Sequence, residues 1–560
     1  MAVDTRAPTP TATRAPDSGG SSLTGTWRLL RLAARRDRVL LPVWIVTLGV
    51  LLLASVASII GLYDSEAERV QYALAVAPSV VARAFEGPIL GTSLGAILMT
   101  ETFGMFAVLV GIMSVQTVVR HTRLEEETGR AELVGSAVVG RHAPLTAALA
   151  VVFAANLAVG GTTVAILLAY DLPTGGAVLA GLLLMGVGWS FAGVAAITAQ
   201  ISASARGANG LGGAVIGLAY FLRAVGDGLG EVAPSGVAVT SAWPSWLSPI
   251  GWGQQAGAFA VERWWVLGLF AGLVVATVAA AFTLTRHRDL GVGMRPVRPG
   301  PAEASAALRS PVGLAWRLQR PTVLAWLLGL IITAGVFGAI GDEVDAFLET
   351  SDELAELFTA LGGSDVLVDL FIVFFLALLA VAVGAFAVQG VLRLRSEEVS
   401  GRAEPLLSTA VARTRWVASH LIVVALGSAA MLLAAGMVGG VAYGLVTGEW
   451  GARFGDWVLA AVVGIPAVWV LAGLVVAAVG LVPRRAVSIG WGALGVSLVM
   501  GQLGALFELP QWVLNISPFT HVPAVPADDL QWLPLLLLLA VAAGVTGLGL
   551  AAVRRRDLLT

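Results

Sequence analysis

Unbroken apolar runs of about 20 residues recur along this chain of 560 residues, and they constrain its fold more than any other feature. A run of that length crosses the ~30 Å of hydrocarbon in a bilayer as an α-helix. Only 12% of the residues are charged, about half the share found in soluble domains. Strands of a β-barrel would instead show an alternating pattern. The sequence therefore predicts an all-α polytopic membrane protein.

Twelve transmembrane helices are predicted, in two sets of six. The first set covers residues 39–62, 95–119, 143–169, 175–202, 211–229 and 264–285. The second set covers residues 321–341, 366–392, 415–446, 457–482, 486–507 and 533–553. Before each set, the stretches 24–38 and 312–320 mix arginines with Trp and Leu, which favours interfacial helices.

A charged stretch occurs twice, and it shows that the two sets are related. RLEEETGRAELVGSAVVGR (123–141) and RSEEVSGRAEPLLSTAVAR (395–413) align without gaps and are identical at ten of 19 positions. Each copy follows the second span of its set. The predicted organisation is a disordered cytoplasmic tail (1–23), a first six-helix half (24–291), a proline-rich linker (292–308) and a second six-helix half (309–560). Because six is an even number, both halves should have the same orientation.

The distribution of basic residues predicts that orientation. All 34 basic residues are arginines, and 29 of them fall on the side of the spans that carries both copies of the charged stretch. Loops rich in basic residues stay on the cytoplasmic side of a membrane. Both termini and both copies are therefore predicted to be cytoplasmic.

The composition also excludes several kinds of chemistry. Without lysine, the chain cannot contain a Walker A loop, whose lysine contacts the nucleotide phosphates. Without cysteine, it has no thiol nucleophile and no cysteine metal ligand. The five histidines lack metal-ligand spacing, and no recognisable set of nucleophile and base is present. We predict no enzymatic activity, no cofactor and no metal in this chain.

The pattern Glu-Glu-x-x-Gly-Arg-Ala-Glu after the second span of a six-span unit resembles the coupling-helix region of type-2 ABC exporter permeases. The double-length form without lysine resembles the actinobacterial antibiotic exporter permeases of the tetronasin and polyketide type. This resemblance implies two tandem ABC-2 type units in the bacterial plasma membrane. It also implies export of hydrophobic or amphipathic small molecules. Membrane lipid is a further expected partner, and nucleic acid is not. ATP and Mg²⁺ would bind a separate ABC ATPase subunit, expected as a homodimer.

By the same resemblance, coupling to the ATPase falls on matching residues of the two copies. These are Glu125, Glu126, Gly129, Arg130 and Glu132, and Glu397, Glu398, Gly401, Arg402 and Glu404. The glycine should let the chain bend before a short helix. Pro405 replaces Leu133 in the second copy, which predicts a shorter or kinked helix there. The alternative interpretation is a solvated loop that only fixes topology.

Ionisable residues inside predicted spans form a second candidate site. Arg223 and Asp227 are four residues apart and so share a helix face, and Glu101 lies in the second span. Charges in a membrane usually face a partner or a water-filled cavity. One interpretation is a polar patch on the substrate path, with Arg223 paired to Glu101 or Asp227. The other is a structural ion pair that locks the second and fifth spans together.

The same three residues support the alternative function. A twelve-span secondary transporter driven by a proton gradient would use Glu101, Arg223 and Asp227 as its proton relay. These charges occur in one half only, whereas the cytoplasmic stretch occurs in both. The exporter permease is therefore the preferred prediction.

Overall fold

The computed structural model describes residues 21–287, 293, 302–339, 364–448, 451, 453–500 and 510–556. Several sequence predictions fall at least partly outside these ranges. They are the predicted tail up to residue 20, part of the linker 292–308, the end of the predicted first half (288–291), residues 340 and 341 of the predicted seventh span, residues 501–507 of the predicted eleventh span, and the end of the predicted second half (557–560).

The chain divides into two compact units, Met1–Pro299 and Gly300–Thr560. The helices of the first unit are α1 (Thr26–Arg36), α2 (Leu40–Leu62), α3 (Glu66–Val76), α4 (Val80–Phe85), α5 (Leu94–His121), α6 (Arg123–Glu127), α7 (Arg130–Gly135), α8 (Ala143–Ala169), α9 (Thr174–Ile201), α10 (Ala205–Gly228), α11 (Pro249–Gln255) and α12 (Val266–Arg286). A 3₁₀ turn (Trp243–Leu247) precedes α11, and two short antiparallel strands, β1 (Glu231–Val232) and β2 (Val239–Thr240), follow α10.

The second unit is also helical. Its helices are α13 (Pro311–Ala339), α14 (Ser364–Val399), α15 (Ala403–Leu407), α16 (Arg413–Thr447), α17 (Phe454–Val462), α18 (Ile465–Leu481), α19 (Ala486–Leu498), α20 (Gln511–Leu514) and α21 (Trp532–Arg555). Two 3₁₀ turns, Ala306–Arg309 and Pro518–His521, complete the described elements.

Within the described residues, eleven helical stretches are long and apolar enough to cross a membrane. Six belong to the first unit, namely α2, α5 with α6, α8, α9, α10 and α12. Five belong to the second unit, namely α13, α14, α16, α17 with α18, and α21. The apolar helix α19 is shorter and covers the start of the predicted eleventh span. The prediction of an all-α membrane protein is confirmed, with eleven candidate spans.

The turn between α8 and α9 shows why the spans end where they do. The apolar run ends at Ala169, and Asp171 then takes a positive φ of 57°. Aspartate tolerates this left-handed conformation better than most residues. Pro173 directly precedes α9, where a missing N–H costs no helical hydrogen bond. The chain therefore reverses within four residues.

The core of the first unit is built around α9, which packs against α5, α8 and α12. Its contact with α8 depends on paired glycines. A Cβ added at Gly181 would lie 2.5 Å from the carbonyl oxygen of Gly160, too close for any side chain. Small residues let membrane helices approach closely and gain dispersion contacts. Phe103 and Phe191 belong to the same hydrophobic core and are almost wholly buried.

Two local predictions need correction. The stretch 312–320 is not a separate interfacial helix, because α13 runs without a break through Pro321. Proline is tolerated inside membrane helices, where neighbouring groups satisfy the freed carbonyl. No helix is predicted between the first two spans, but the segment 63–94 contains α3 and α4. Ser65 and Glu68 form a reciprocal capping box at the start of α3.

Candidate coupling site

Both copies of the charged stretch turn at their glycine in the same way. In the first copy the chain leaves α6, turns at Gly129 with φ +73° and enters α7. In the second copy it leaves α14, turns at Gly401 with φ +70° and enters α15. A Cβ at either position would meet no atom within 4 Å. Glycine is therefore needed for its backbone conformation and not for space.

An ion pair closes each of these turns. In the first copy, Arg130 Nη1 lies 3.4 Å from Glu125 Oε1. In the second copy, Arg402 Nε lies 2.8 Å from Glu397 Oε2. The two pairs occupy equivalent positions of the repeat. Both copies thus contain a glycine turn together with a pair of charges that bridges it.

The remaining partners of these carboxylates differ between the copies. Glu125 Oε1 also lies 2.7 Å from Arg36 Nη1, on α1. Glu397 Oε1 instead lies 3.2 Å from Arg393 Nη2, one turn earlier on α14. The first turn is therefore tied to the helix that precedes α2, whereas the second is tied to its own span.

The second glutamate of each copy is an anchor as well. Glu126 Oε2 accepts a hydrogen bond of 2.7 Å from Arg123, whose side chain is almost wholly buried. Glu398 accepts bonds of 2.6 and 2.9 Å from Arg556 Nη2, just after α21. Paired charges of this kind hold an element in place, because removing one partner leaves a buried charge without compensation.

The outward surface of each copy is made by other residues. Arg130 and Glu132 are exposed on α7, and Arg402 and Glu404 are exposed beside and on α15. Leu133 is 75% exposed, an unusual environment for a leucine. The ten predicted residues therefore separate into the glycines, four carboxylates that brace the turn, and four charged groups that face outward.

Pro405 has a milder effect than the sequence suggested. The helix α15 begins one residue later in the repeat than α7 and is five residues long, against six. Pro405 is its third residue. N–H groups in the first turn of a helix have no intrahelical partner, so the proline breaks no bond there. The second short helix is shortened but not kinked.

Sequence reasoning missed the role of the arginine that ends each repeat. Arg141 donates hydrogen bonds of 3.1 and 3.0 Å to the carbonyl oxygens of Thr285 and Arg286, at the end of α12. Arg413 donates to the carbonyl of Arg556, directly after α21. A cation at a helix C-terminus binds the last carbonyl groups and complements the helix dipole. The sequence did indicate this role in one way, because an arginine ends both copies of the repeat.

A buried carboxylate next to the first copy was also missed. Asp37 lies between α1 and α2 and is 1% exposed. It contacts His121 Nε2 and lies 3.3 Å from Arg120 Nε, both at the end of α5. These residues are more than 80 positions apart in the chain, so no local pattern announced the contact. Asp37 joins α1 to the helix that leads into the first copy.

The second candidate site is a buried hydrogen-bond network around Arg223. The guanidinium donates to the carbonyl oxygens of Ala84 and Phe85 at 2.9 and 3.1 Å, and to Gln254 Oε1 at 3.3 Å. Asp227 Oδ2 lies 3.6 Å from Arg223 Nη1, and both side chains are fully buried. Of the two predicted partners, Asp227 is the one observed. Arg223 joins α10 to the end of α4 and to α11.

Glu101 lies in a different cluster. Its carboxylate interacts with the hydroxyl groups of Tyr63 and Tyr72. The Tyr72 hydroxyl also donates a bond of 2.8 Å to Glu86. Burial, and then the nearby charges of Glu86 and Glu101, raise the pKa of Tyr72 above its usual range, so its hydroxyl stays protonated. Among the described residues, no group of three or more acidic or histidine side chains is placed to hold a metal ion.

Comparison with known proteins places the chain in a family. A family model described as "Multidrug efflux system permease Rv1217c, C-terminal domain" matches residues 308–554. The multidrug efflux system permease protein Rv1217c of Mycobacterium tuberculosis is 41% identical over 549 residues, which cover 98% of each chain. The chain belongs to this family of ABC-type multidrug efflux permeases.

Membership of this family confirms the recognition made from the charged repeats, and with it the prediction of a multi-pass efflux permease. The match runs through both units, so the two chains correspond along almost their whole length. The roles of individual residues stay predictions.

Proposed function

We propose that this chain is the membrane-spanning subunit of an ATP-driven exporter of hydrophobic or amphipathic small molecules. ATP would bind, with Mg²⁺, to a separate ABC ATPase that acts as a homodimer. The name of the mycobacterial relative supports export of several drugs. The absence of lysine supports a separate motor, since a Walker A loop cannot be formed.

The observation that carries the proposal is the repeated turn at Gly129 and Gly401, with an equivalent glutamate–arginine pair at each. A solvated loop that only fixes topology has no reason to preserve both features twice. We call α6 with α7 the first docking element, and the end of α14 with α15 the second. Two equivalent docking elements suit an ATPase with two equivalent subunits. The exposed charges on and beside α7 and α15 would make the contact, and the carboxylates that brace each turn would hold each element rigid.

The proposed architecture is two tandem six-helix ABC-2 type units with both termini in the cytoplasm. Residues 24–291 would form the first half and residues 309–560 the second, joined by the cytoplasmic linker. The eleven candidate spans support this layout, with α19 as the start of the remaining span. The arginine distribution supports the orientation. The plasma membrane of a bacterium is the location proposed.

The anchors suggest how movement would be transmitted. When the ATPase closes on ATP, each docking element would be displaced. The carboxylate of Glu125 would pass this displacement to α1 through Arg36, and Glu398 would pass it to the end of α21 through Arg556. Stiff ion pairs transmit a displacement that a loose loop would absorb. The two halves would then rock and expose the substrate path to the outside.

The network around Arg223 and Asp227 supports a structural role more than a place on the substrate path. Its Nη1 and Nη2 groups donate to main-chain carbonyl oxygens and to Gln254. Glu101 interacts with two tyrosines and Arg223 with main-chain carbonyl oxygens and Gln254, which speaks against the three-residue relay of a proton-driven carrier. Glu101 stays the better candidate for a polar contact with substrate, because this residue is partly exposed.

The test is purification of the chain from its native membrane, followed by an ATPase assay. We expect an ATPase subunit to co-purify with the unaltered chain. The double variant Glu132→Arg with Glu404→Arg should lose that subunit, because both residues face outward and their charges are reversed. Glu303→Arg, an exposed carboxylate outside both elements, is the control and should retain it.

Two outcomes would contradict the proposal. One is a chain that purifies without any ATPase subunit and still exports drug. The other is an ATPase subunit that binds the double variant as tightly as the control. The first outcome would favour the proton-driven carrier, and the second would move the docking surface to another part of the chain.

A further inference from the structure

A cavity lies behind the first docking element, within the first unit. It has a volume of about 480 Å³ and is lined mainly by α1, α6, α7 and the start of α8, with single residues from α5, α9 and α12. Small-molecule sites in proteins are typically concave, with volumes of roughly 300–1,000 Å³. The cavity is therefore large enough for a compact organic molecule or for the end of a longer one.

One part of the lining is apolar. Leu29 and Leu32 come from α1, Val134 from α7, and Leu145 and Ala148 from α8. These side chains offer a surface for a hydrocarbon or aromatic group, whose transfer from water is favourable by the hydrophobic effect. The apolar part alone would accept many kinds of molecule.

The other part of the lining is charged, with an excess of cations. Arg36, Arg130 and Arg141 face two carboxylates, Glu125 and Glu126. Glu126 is already neutralised by Arg123, which approaches it from outside the lining. Arg36 and Arg130 both direct a nitrogen at the same oxygen of Glu125. An anion entering the cavity would therefore meet more positive than negative charge.

The position of the cavity beside α1 indicates that such a ligand would enter from the membrane surface. The helix α1 is interfacial in character, with Trp27 61% exposed and four arginines along its length. Helices of this kind lie at the boundary between headgroups and acyl chains. An amphipathic anion in the leaflet that we propose to be cytoplasmic has its charged group at this level and its apolar body beside α1.

We infer that this cavity binds an amphipathic anion, with the acidic group at Arg36 and Arg130 and the apolar body along Leu32, Val134 and Leu145. The ligand is either an exported molecule with an acidic group or the headgroup end of an anionic lipid. Its acidic group would compete with Glu125 for Arg130, whose side chain is 54% exposed and sits 3.4 Å away. Binding of the ligand would thus weaken the ion pair that closes the turn at Gly129, which we propose to dock the ATPase. Only this last step rests on the proposed function.

Binding is tested on the purified chain without any ATPase. The probe is a dansyl-labelled undecanoate, compared with its uncharged methyl ester, and binding is followed by dansyl fluorescence. We expect saturable binding of the acid and much weaker binding of the ester. Arg36→Gln and Arg130→Gln should each weaken binding of the acid roughly tenfold, because each removes a charge-assisted bond. Arg206→Gln, an exposed arginine on α10 outside the lining, is the matched control.

A second variant tests the volume. Ala148 is almost wholly buried and contributes to the wall, so Ala148→Phe should fill the cavity and abolish binding of the acid. Gel filtration and thermal unfolding show whether this variant folds. If it does not, the arginine variants decide the matter, since Arg130 is exposed and its replacement leaves the core intact.

Two lipids distinguish the sources of the ligand. Displacement of the probe by phosphatidylglycerol, but not by phosphatidylcholine, would identify a lipid headgroup as the occupant. Displacement by neither would identify a free amphipathic acid of the exported kind. Both results support the site. Equal binding of acid and ester, or unchanged binding in Arg36→Gln and Arg130→Gln, would overturn it.

The link to the ATPase is measured separately. In the complex with a co-purifying ATPase, the acid should stimulate ATP hydrolysis with the unaltered chain and not with Ala148→Phe, which fills the cavity and leaves the exposed charges of α7 unchanged. If the acid binds and no ATPase co-purifies, the proposed function fails and the cavity assignment stands. If an ATPase co-purifies and the acid does not bind, the reverse holds.

Discussion

The two turn glycines allow a quantitative test of the docking elements. Gly129 has φ +73°, and a Cβ at this position would meet no atom within 4 Å. Gly129→Ala therefore adds no clash, and its cost is that of placing an L-residue in the left-handed region. This cost is roughly 1–2 kcal/mol. It falls on the turn that orients α7.

A cost of this size lowers the population of the docking conformation by a factor of about 5 to 30. The affinity of the chain for its ATPase subunit should fall by the same factor, because the turn must be re-formed on binding. Gly401→Ala should behave alike, since Gly401 has φ +70° and equally open surroundings. The assay is titration of the immobilised chain with the ATPase subunit.

Gly135→Ala is the control within the same element. A Cβ added at Gly135 would also meet no atom within 4 Å, but Gly135 ends α7 without a positive φ. Alanine there should leave the affinity unchanged or raise it slightly, since alanine favours helix. Equal weakening by Gly129→Ala and Gly135→Ala, or no weakening by the former, would refute the argument from backbone conformation.

Three further predictions concern stability, measured by thermal unfolding of the purified chain in detergent. Arg223→Met should lower the free energy of unfolding by about 3–5 kcal/mol, because it leaves Asp227 buried without its partner. Adding Asp227→Leu should recover most of this loss. A loss of transport without a loss of stability would instead place Arg223 on the substrate path. Arg556→Gln should lower the free energy of unfolding by about 3 kcal/mol, because it leaves the buried Glu398 carboxylate without its partner. Arg555→Gln, at the exposed neighbouring position, should lower it by less than about 0.5 kcal/mol. Similar values for the two variants would show that the ion pair is not an anchor. Burial, and then the charges of Arg286 and Arg141, lower the pKa of His142 in the folded chain. The folded state therefore binds this proton less readily than the unfolded state, and stability should fall as the pH drops below about 6.5. His142→Gln should remove that part of the pH dependence, and an unchanged profile would contradict the prediction.

Hydropathy predicted most of the fold, because the requirement for apolar residues in hydrocarbon is strict. The third span was predicted at 143–169, and α8 covers Ala143–Ala169. Predictions failed where the polarity of a segment does not decide its structure. The predicted span that begins at residue 321 is part of a longer helix, α13, which begins at Pro311. The capping box at Ser65 and Glu68 was readable from the sequence and marks α3.

The candidate site was predicted less completely, for a physical reason. The repeat identified Glu125 and Arg130 because both copies retain them, and the structure brings the two together. Partners from distant parts of the chain left no local pattern. Arg36 reaches Glu125 across 89 positions, and Arg223 reaches the end of α4 across more than 130. Such contacts depend on how the helices pack, which a single sequence does not specify.

The central claim is that ATP, hydrolysed on a separate subunit, drives export through this chain. Inside-out vesicles from cells that produce the chain with its ATPase test this most directly, with uptake of a fluorescent drug as the readout. We expect uptake that requires ATP and continues when a protonophore collapses the proton gradient. Uptake that proceeds without ATP and stops with the protonophore would contradict it and establish a proton-driven carrier.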